Sequence, residues 1–245
     1  MNRFPPLYHA HHASYSDDLT FYLELARHYG QPIVELGCGT GRVLHVLQNA
    51  GHDIVGLDSQ IEMLRFLRQR GAARVFCADM TSLALAPVFR LVLLPCNTYS
   101  TLASPQRLAL LSRVWWCLQI GGAFAVSFPN PALLQSLPPK VEAELEEIVL
   151  HPETTNPVQI FTSWQRNQDW LSVTWAYDHL FPDGKVERVQ YRQTYSLQAV
   201  SRFFIEIEQS GFLIRATYGG FDKQPLQGFS PNVIILAEKT TNNRR

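Results

Sequence analysis

The chain has 245 residues, 46% of them apolar, and its 21 basic and 21 acidic side chains leave no formal net charge. That balance argues against a phosphate-tracking nucleic-acid surface, and no uninterrupted apolar run approaches the ~18 residues of a membrane span. Four dispersed cysteines (Cys38, Cys77, Cys96 and Cys117) form no C-x-x-C pair, and Met1 to Pro6 lack the apolar stretch of a signal peptide, so a reducing, cytoplasmic setting is expected.

Residues 1–30 read as a leader and a capping helix. The helix is expected from Asp17 to Tyr29, with Ser16 as N-cap, Asp17 and Asp18 at the positive end, and Gly30 as the stop. Residues 31–130 then alternate strand and helix: Ile33–Leu36, Gly41–Ala50, Ile54–Asp58, Gln60–Arg70, Arg74–Ala78, Leu91–Cys96, Pro105–Leu118 and Ala123–Phe128. Such alternation with right-handed crossovers gives a doubly wound, mostly parallel sheet whose ligand sits at the carboxyl ends of the strands.

The most informative segment is Val34-Glu35-Leu36-Gly37-Cys38-Gly39-Thr40-Gly41. A buried strand runs into three glycines spaced two apart, and an amphipathic helix follows. Glycine permits positive φ and lets a ligand approach bare backbone, while the first helical amides face its polar groups. Two later strands each end in a carboxylate, at Asp58 and Asp79, and Asp58 lies 21 positions after Gly37, near the ~20 expected for an acid that grips ribose hydroxyls. A nicotinamide fingerprint needs Gly or Ala at the position held here by Arg42, and it has no counterpart of Asp79. That cofactor is disfavoured.

At these residues the chain resembles the class I S-adenosylmethionine-dependent methyltransferases. The likeness rests on Glu35 to Arg42, on Gly56-Leu57-Asp58-Ser59 with Met63-Leu64, on Ala78-Asp79-Met80 and on Leu93 to Asn97, in matching order over about residues 15 to 128. It implies a seven-stranded Rossmann-like sheet with S-adenosylmethionine as cofactor. The implied cofactor contacts are Tyr15, Glu35, Gly37, Cys38, Gly39, Thr40, Gly41, Asp58, Ser59, Met63, Asp79, Met80, Cys96 and Asn97. In the family the glycine loop holds the methionine part; here Asp58 would bind the ribose hydroxyls, Asp79 the adenine amino group, and Met63 and Met80 the adenine faces. The chain departs from the pattern at Arg90 and at Ile120-Gly121-Gly122, both turn positions.

After Pro129 the pattern changes. Residues 145 to 196 alternate with period two, are rich in β-branched and aromatic types, and carry turn signals at 152–157, 167–169 and 182–184. An antiparallel β-meander of about four strands is expected, inserted after strand five over residues 140–196. Residues 197–240 should supply a last helix, Leu197 to Ser210, and two strands, Phe212–Tyr218 and Val233–Glu238, that complete the core sheet with the final one antiparallel. The end from Thr240 looks frayed.

Methyl transfer from a sulfonium is an in-line displacement that asks mainly for positioning and desolvation. Asn97 and Tyr99, after strand four, are the candidate catalytic residues, orienting the acceptor or facing the sulfonium. A capping Asn and a packed Tyr are the plainer alternative. His9, His11 and His12 read as surface histidines, since no carboxylate or cysteine joins them as a metal set; no metal is expected. In a second reading the leader is a lid that brings Tyr8, Tyr15 and a proton-accepting His9 or His12 to the pocket. Trp164, Trp170, Trp175, Tyr177, Phe181, Tyr191 and Tyr195 read mostly as sheet packing with a minority roofing the acceptor, and Tyr218 to Asp222 as a turn near the same rim. Glu142, Glu144, Glu146 and Glu147 look like a solvated face.

The sequence after strand four lacks the pattern of a base methyltransferase, and no recognition domain for a protein is evident. A small-molecule acceptor is therefore expected, with no nucleic-acid or membrane partner and a monomeric or homodimeric state. Protein or RNA methylation, and cofactor binding without catalysis, are the alternatives.

Overall fold

The computed structural model describes residues 3–71, 73–82 and 84–240. Seven strands form one mixed sheet: β1 (Ile33–Leu36), β2 (Ile54–Asp58), β3 (Val75–Cys77), β4 (Phe89–Leu94), β5 (Leu118–Pro129), and, late in the chain, β10 (Leu213–Tyr218) and β11 (Asn232–Glu238). Their spatial order is β10-β11-β5-β4-β1-β2-β3; β11 runs antiparallel to both its neighbours, and the β1, β2, β3, β4 and β5 pairings are parallel. The expected fold class and its antiparallel last strand are both present.

Sequence chemistry explains the centre of this sheet. All four residues of β1 are buried, because helices cover both faces. On one side α3 (Arg42–Asn49) buries Val43, Leu44 and Leu47, each contributing about 1.5–3 kcal/mol. Gly56 in β2 allows that approach: a Cβ there would lie 2.4 Å from Leu44 Cδ1 and 2.8 Å from Cys38 Sγ. The helices α2 (Leu19–Tyr29) and α4 (Ile61–Gln69) pack in the same layer. The opposite face is covered by α6 (Ser104–Cys117) and α8 (Val200–Gln209), with the four-residue α5 (Thr98–Thr101) at the end of β4.

The meander is a separate four-stranded antiparallel sheet, in order β6 (Lys140–Leu150), β7 (Pro157–Arg166), β8 (Trp170–Leu180) and β9 (Val186–Ser196). A short helix, α7 (Pro131–Ser136), leads into it, started by the Asn130 side chain accepting from the Ala132 amide. One face of the sheet places Val158, Ile160, Tyr177, Val189 and Tyr191 against the leader.

The leader departs from expectation. It is a helix, α1 (Phe4–His12), with Pro5 and Pro6 in its first turn, where no amide is needed and the fixed φ is favourable. Ser16 does not cap α2, which begins at Leu19, and Asp18 at its N-cap makes no capping bond. The Asp18 carboxylate is instead turned to Arg42, which donates to both of its oxygens at 2.5 and 2.6 Å. Beyond residue 240 the frayed end expected from Thr240 lies outside the described residues.

Candidate active site

The chain turns sharply between β1 and α3, with Gly37, Gly39 and Gly41 at φ of 66°, 53° and 85°. At Gly41 even the space is closed, since a Cβ would fall 2.9 Å from Leu67 side-chain carbons. Asp58 pins the loop from the end of β2: its carboxylate accepts from the Gly39 amide at 2.9 Å and from the Gln60 amide at 2.8 Å. Burial pushes the Asp58 carboxyl above its usual range despite those two amides.

Glu35, at the end of β1, is 2% exposed, and its Oε2 has no hydrogen-bond partner. Burial raises this carboxyl to about pH 8. A buried polar atom without a partner costs free energy, and Glu35 is among the residues that line the cavity beneath α1.

After β4, Cys96 and Asn97 take consecutive left-handed conformations, at φ of 60° and 68°. Each costs about 1–3 kcal/mol in a residue other than glycine, and such strain concentrates at active sites. Arg42 holds this corner. Beyond its bidentate pair with Asp18, it donates to the Tyr15 carbonyl at 3.0 Å and to Cys96 Sγ at 3.1 Å, with its guanidinium 5.1 Å from the Tyr15 ring centre. One side chain therefore ties the leader, the glycine loop and the β4 end together.

Helix α1 roofs the space so enclosed, and its three histidines take three different roles. His9 Nδ1 meets Thr40 Oγ1 at 3.2 Å, fastening the helix to the glycine loop. His11 is buried against the insertion, with Nδ1 3.0 Å from the Tyr177 hydroxyl and Nε2 3.5 and 3.6 Å from Glu146 and Glu147. His12 faces the cavity. The surface-histidine expectation is thus corrected, because a helical leader buries the His11 side, and Glu146 and Glu147 are not purely a solvated face.

The cavity has a volume of about 340 Å³. Its lining includes Tyr15, Glu35, Gly37, Cys38, Gly39, Thr40, Cys96 and Asn97 of the expected residues. The insertion adds Trp175, Tyr191, Gln193 and Tyr195, and Phe221 comes from the turn after β10. Sequence alone left open which aromatics reach the site. The register selects them: Trp175 pairs with Tyr191 across β8 and β9, and Gln193 and Tyr195 follow at two-residue steps on the same face. Two other clefts, of about 530 and 510 Å³, lie on the far side of α1 and on the outer face of the insertion sheet, and neither contains the glycine loop.

Several expected residues are not part of that lining. Asp58 lies behind the loop, bonded to the Gly39 amide, and Gly41 sits behind the lining as the N-cap of α3. Ser59 and Asp79 are exposed at the ends of β2 and β3, and Asp79 accepts from the Thr81 amide and hydroxyl, both at 2.8 Å. Met80 borders Gly37, its Cε 3.5 Å from where a Cβ would stand. Met63 is covered by Phe4 and Leu7 of the leader.

Tyr99 requires the clearest correction. It is fully buried in the core, its ring 5.8 Å from those of Phe128 and Phe203, and its hydroxyl has no partner. The left-handed Asn97 starts α5 and turns Tyr99 inward. Tyr99→Phe should therefore leave turnover unchanged and keep or raise the melting temperature, since it removes an unsatisfied buried hydroxyl. Loss of turnover with an intact fold would return Tyr99 to the site.

The fold is that of the class I methyltransferases, and the comparisons agree on it. Residues 33–122 match the sequence model of a family described as a methyltransferase domain. A S-adenosylmethionine-dependent methyltransferase from Clostridium acetobutylicum superposes with a TM-score of 0.81 at 14% identity, covering 95% of this chain and 96% of that one. A sugar N-methyltransferase from Streptoalloteichus sp. gives 0.77 at 14% identity, covering 98% and 94%. An amino pentose methyltransferase of calicheamicin biosynthesis from Micromonospora echinaspora, solved with S-adenosylmethionine bound, gives 0.73 at 16% identity, covering 98% of each chain. No curated protein sequence matches significantly. Residues 33–122 are thus similar to a methyltransferase domain, and the whole chain shares the fold of solved S-adenosylmethionine-dependent methyltransferases.

Proposed function

We propose that this protein methylates a small molecule without fixed charge through a neutral amine or hydroxyl group. The observation that carries this reading is the absence of free charge around the acceptor end of the cavity. Among the described lining residues, Asp18 and Arg42 neutralise each other, and Glu35 is the one other acidic side chain. The remaining walls are aromatic or neutral polar, namely Tyr8, Trp175, Tyr191, Tyr195, Phe221, Asn97 and Gln193. Such walls desolvate a ring and order it by a few hydrogen bonds. Two solved neighbours are described as sugar and amino pentose methyltransferases, which supports an amine-bearing ring as the acceptor.

The residues fit the cofactor. Glu35 would take its ammonium, the loop amides and Asp58 its carboxylate and ribose ends, and Asp79 with Met80 its adenine. When bound, it supplies a methyl group on a sulfonium, a good leaving group. The chain supplies enclosure by α1 and the insertion, together with a fixed acceptor direction. No helix among the described residues is long and apolar enough to cross a membrane; cytoplasmic placement and a monomeric or homodimeric state are part of this proposal.

Glu35 gives a pH signature. With its carboxyl raised to about 8, the folded protein holds a proton that the unfolded chain has released at neutral pH. Stability conferred by that proton therefore falls as pH rises towards 8. An ammonium beside Oε2 favours the charged form, so binding of S-adenosylhomocysteine at pH 7 should release a proton. Calorimetry in two buffers of different ionisation enthalpy reads this directly, and Glu35→Gln should abolish it; proton uptake in the wild type would contradict the assignment.

The acceptor class is tested with methyl-labelled S-adenosylmethionine and a cell extract separated into small-molecule, protein and RNA fractions. Label confined to small molecules supports the proposal. Label in protein or RNA overturns it.

A further inference from the structure

Among the described residues, His12 is the one histidine of the leader whose ring has no side-chain hydrogen-bond partner; its one bond is to the His11 backbone. Its neighbours on α1 are the Tyr8 ring, edge-on at 4.3 Å, and the His11 ring at 4.3 Å. Neither of its ring nitrogens has a side-chain hydrogen-bond partner among the described residues, whereas His9 and His11 are engaged by Thr40 and Tyr177. It lines the same cavity as Cys96, Asn97, Trp175 and Gln193. The charged and titratable groups around it are Tyr8 and His11 on its own helix, Arg42 from α3, Glu146 from β6, and Tyr15, Cys96, Tyr191 and Tyr195 across the cavity.

We propose that His12 orients the methyl acceptor by accepting a hydrogen bond from its nucleophilic N–H or O–H, so that the lone pair points along the transfer line. This rests on the reading of the cavity as the methyl-transfer site. Burial lowers the imidazole to about 3, with His11 and Arg42 adding to the effect and Glu146 and a hydrogen bond to the His11 backbone opposing it, so the ring is neutral throughout the physiological range. A neutral ring offers one acceptor nitrogen and one donor. So weak a base does not deprotonate an amine; its contribution is direction. The acceptor's lone pair forms the new bond to the methyl carbon as the carbon–sulfur bond breaks with its electron pair going to sulfur. The surplus proton stays on the product ammonium and leaves to water; for a hydroxyl acceptor the hydroxyl proton leaves to water as the new bond forms.

The test has two parts. In the first, the imidazole signals of the S-adenosylhomocysteine complex are titrated by NMR, which needs no acceptor. His12 should stay neutral from about pH 5 to pH 8, and titration near the ordinary histidine value of about 6.5 would overturn the proposal by itself. In the second, glucosamine, galactosamine and tyramine are offered with labelled S-adenosylmethionine to the wild type, His12→Phe and His12→Gln. With the substrate that turns over, His12→Phe should lower kcat/KM by at least about 100-fold, the scale of a misplaced reacting group. His12→Gln, which keeps an acceptor atom, should recover most of that loss, and both should bind S-adenosylhomocysteine as the wild type does. Equal losses in the two variants, or none in His12→Phe, would overturn it. If none of the three amines is methylated while S-adenosylhomocysteine still binds, the small-molecule reading is what fails, and the NMR titration still decides His12.

Discussion

Asp58→Ala should weaken binding of S-adenosylmethionine and S-adenosylhomocysteine by at least about 100-fold. The carboxylate is proposed to hold the ribose hydroxyls, and charge-assisted bonds of this kind contribute about 1.5–3 kcal/mol each, so losing two costs at least ~3 kcal/mol, or about two decades of affinity. The same substitution frees the Gly39 and Gln60 amides that Asp58 now holds, which loosens the glycine loop as well. Calorimetry on the variant, with circular dichroism to show that it is folded, measures the effect. Asp58→Asn keeps one acceptor oxygen and should fall between the two. Wild-type affinity in Asp58→Ala would remove Asp58 from the cofactor site.

The second large effect is on stability. Arg107 and Glu206 are each 1% exposed and join α6 to α8. Arg107 Nε and Nη2 donate to Glu206 at 2.6 and 2.9 Å, Nη1 to the Leu102 carbonyl at 2.6 Å, and Nη2 also to Gln198 at 2.8 Å. Ser104 donates to the same carboxylate at 2.7 Å. Removing one partner strands a buried charge, which costs about 3–5 kcal/mol. Glu206→Ala should therefore lower Tm by roughly 6–20 °C, at about 2–4 °C per kcal/mol for a chain of this size. The paired change Arg107→Met with Glu206→Leu should restore much of the loss, because no uncompensated charge remains. A single variant that melts like the wild type would show that water reaches this pair.

The sheet and the glycine loop were legible because their signals are local. Four apolar or acidic residues before Gly37, and the same design before Asp58 and near Asp79, state strand and turn without reference to distant residues. The insertion was legible for the same reason, as period-two alternation punctuated by turn residues. The leader was not. Pro5 and Pro6 look like a break, yet in the first helical turn they are compatible with α1. Once the leader is helical, the 3.6-residue period alone separates His9, His11 and His12 onto three surroundings, a distinction invisible while the segment is read as a loop.

Arg42 illustrates a second kind of limit. The sequence shows that it is too large for a nicotinamide fingerprint, but its positive role depends on Asp18, 24 positions earlier, and on Cys96, 54 positions later. Asp18 in turn looks like a helix-start residue and is instead one half of a buried ion pair. Tyr99 fails differently. Its neighbourhood after β4 is correctly placed, but the two left-handed residues before it set which way the chain turns, and nothing in the types Cys96 and Asn97 announces that conformation.

The central claim is that the loop from Gly37 to Gly41, backed by Glu35 and Asp58, binds S-adenosylmethionine. The most direct test is a calorimetric titration of the wild-type protein with S-adenosylmethionine and S-adenosylhomocysteine, with NAD as control. Saturable one-to-one binding of both sulfur compounds, with no heat from NAD, is the expected result. Binding of NAD, or of none of the three by a folded protein, would contradict the account.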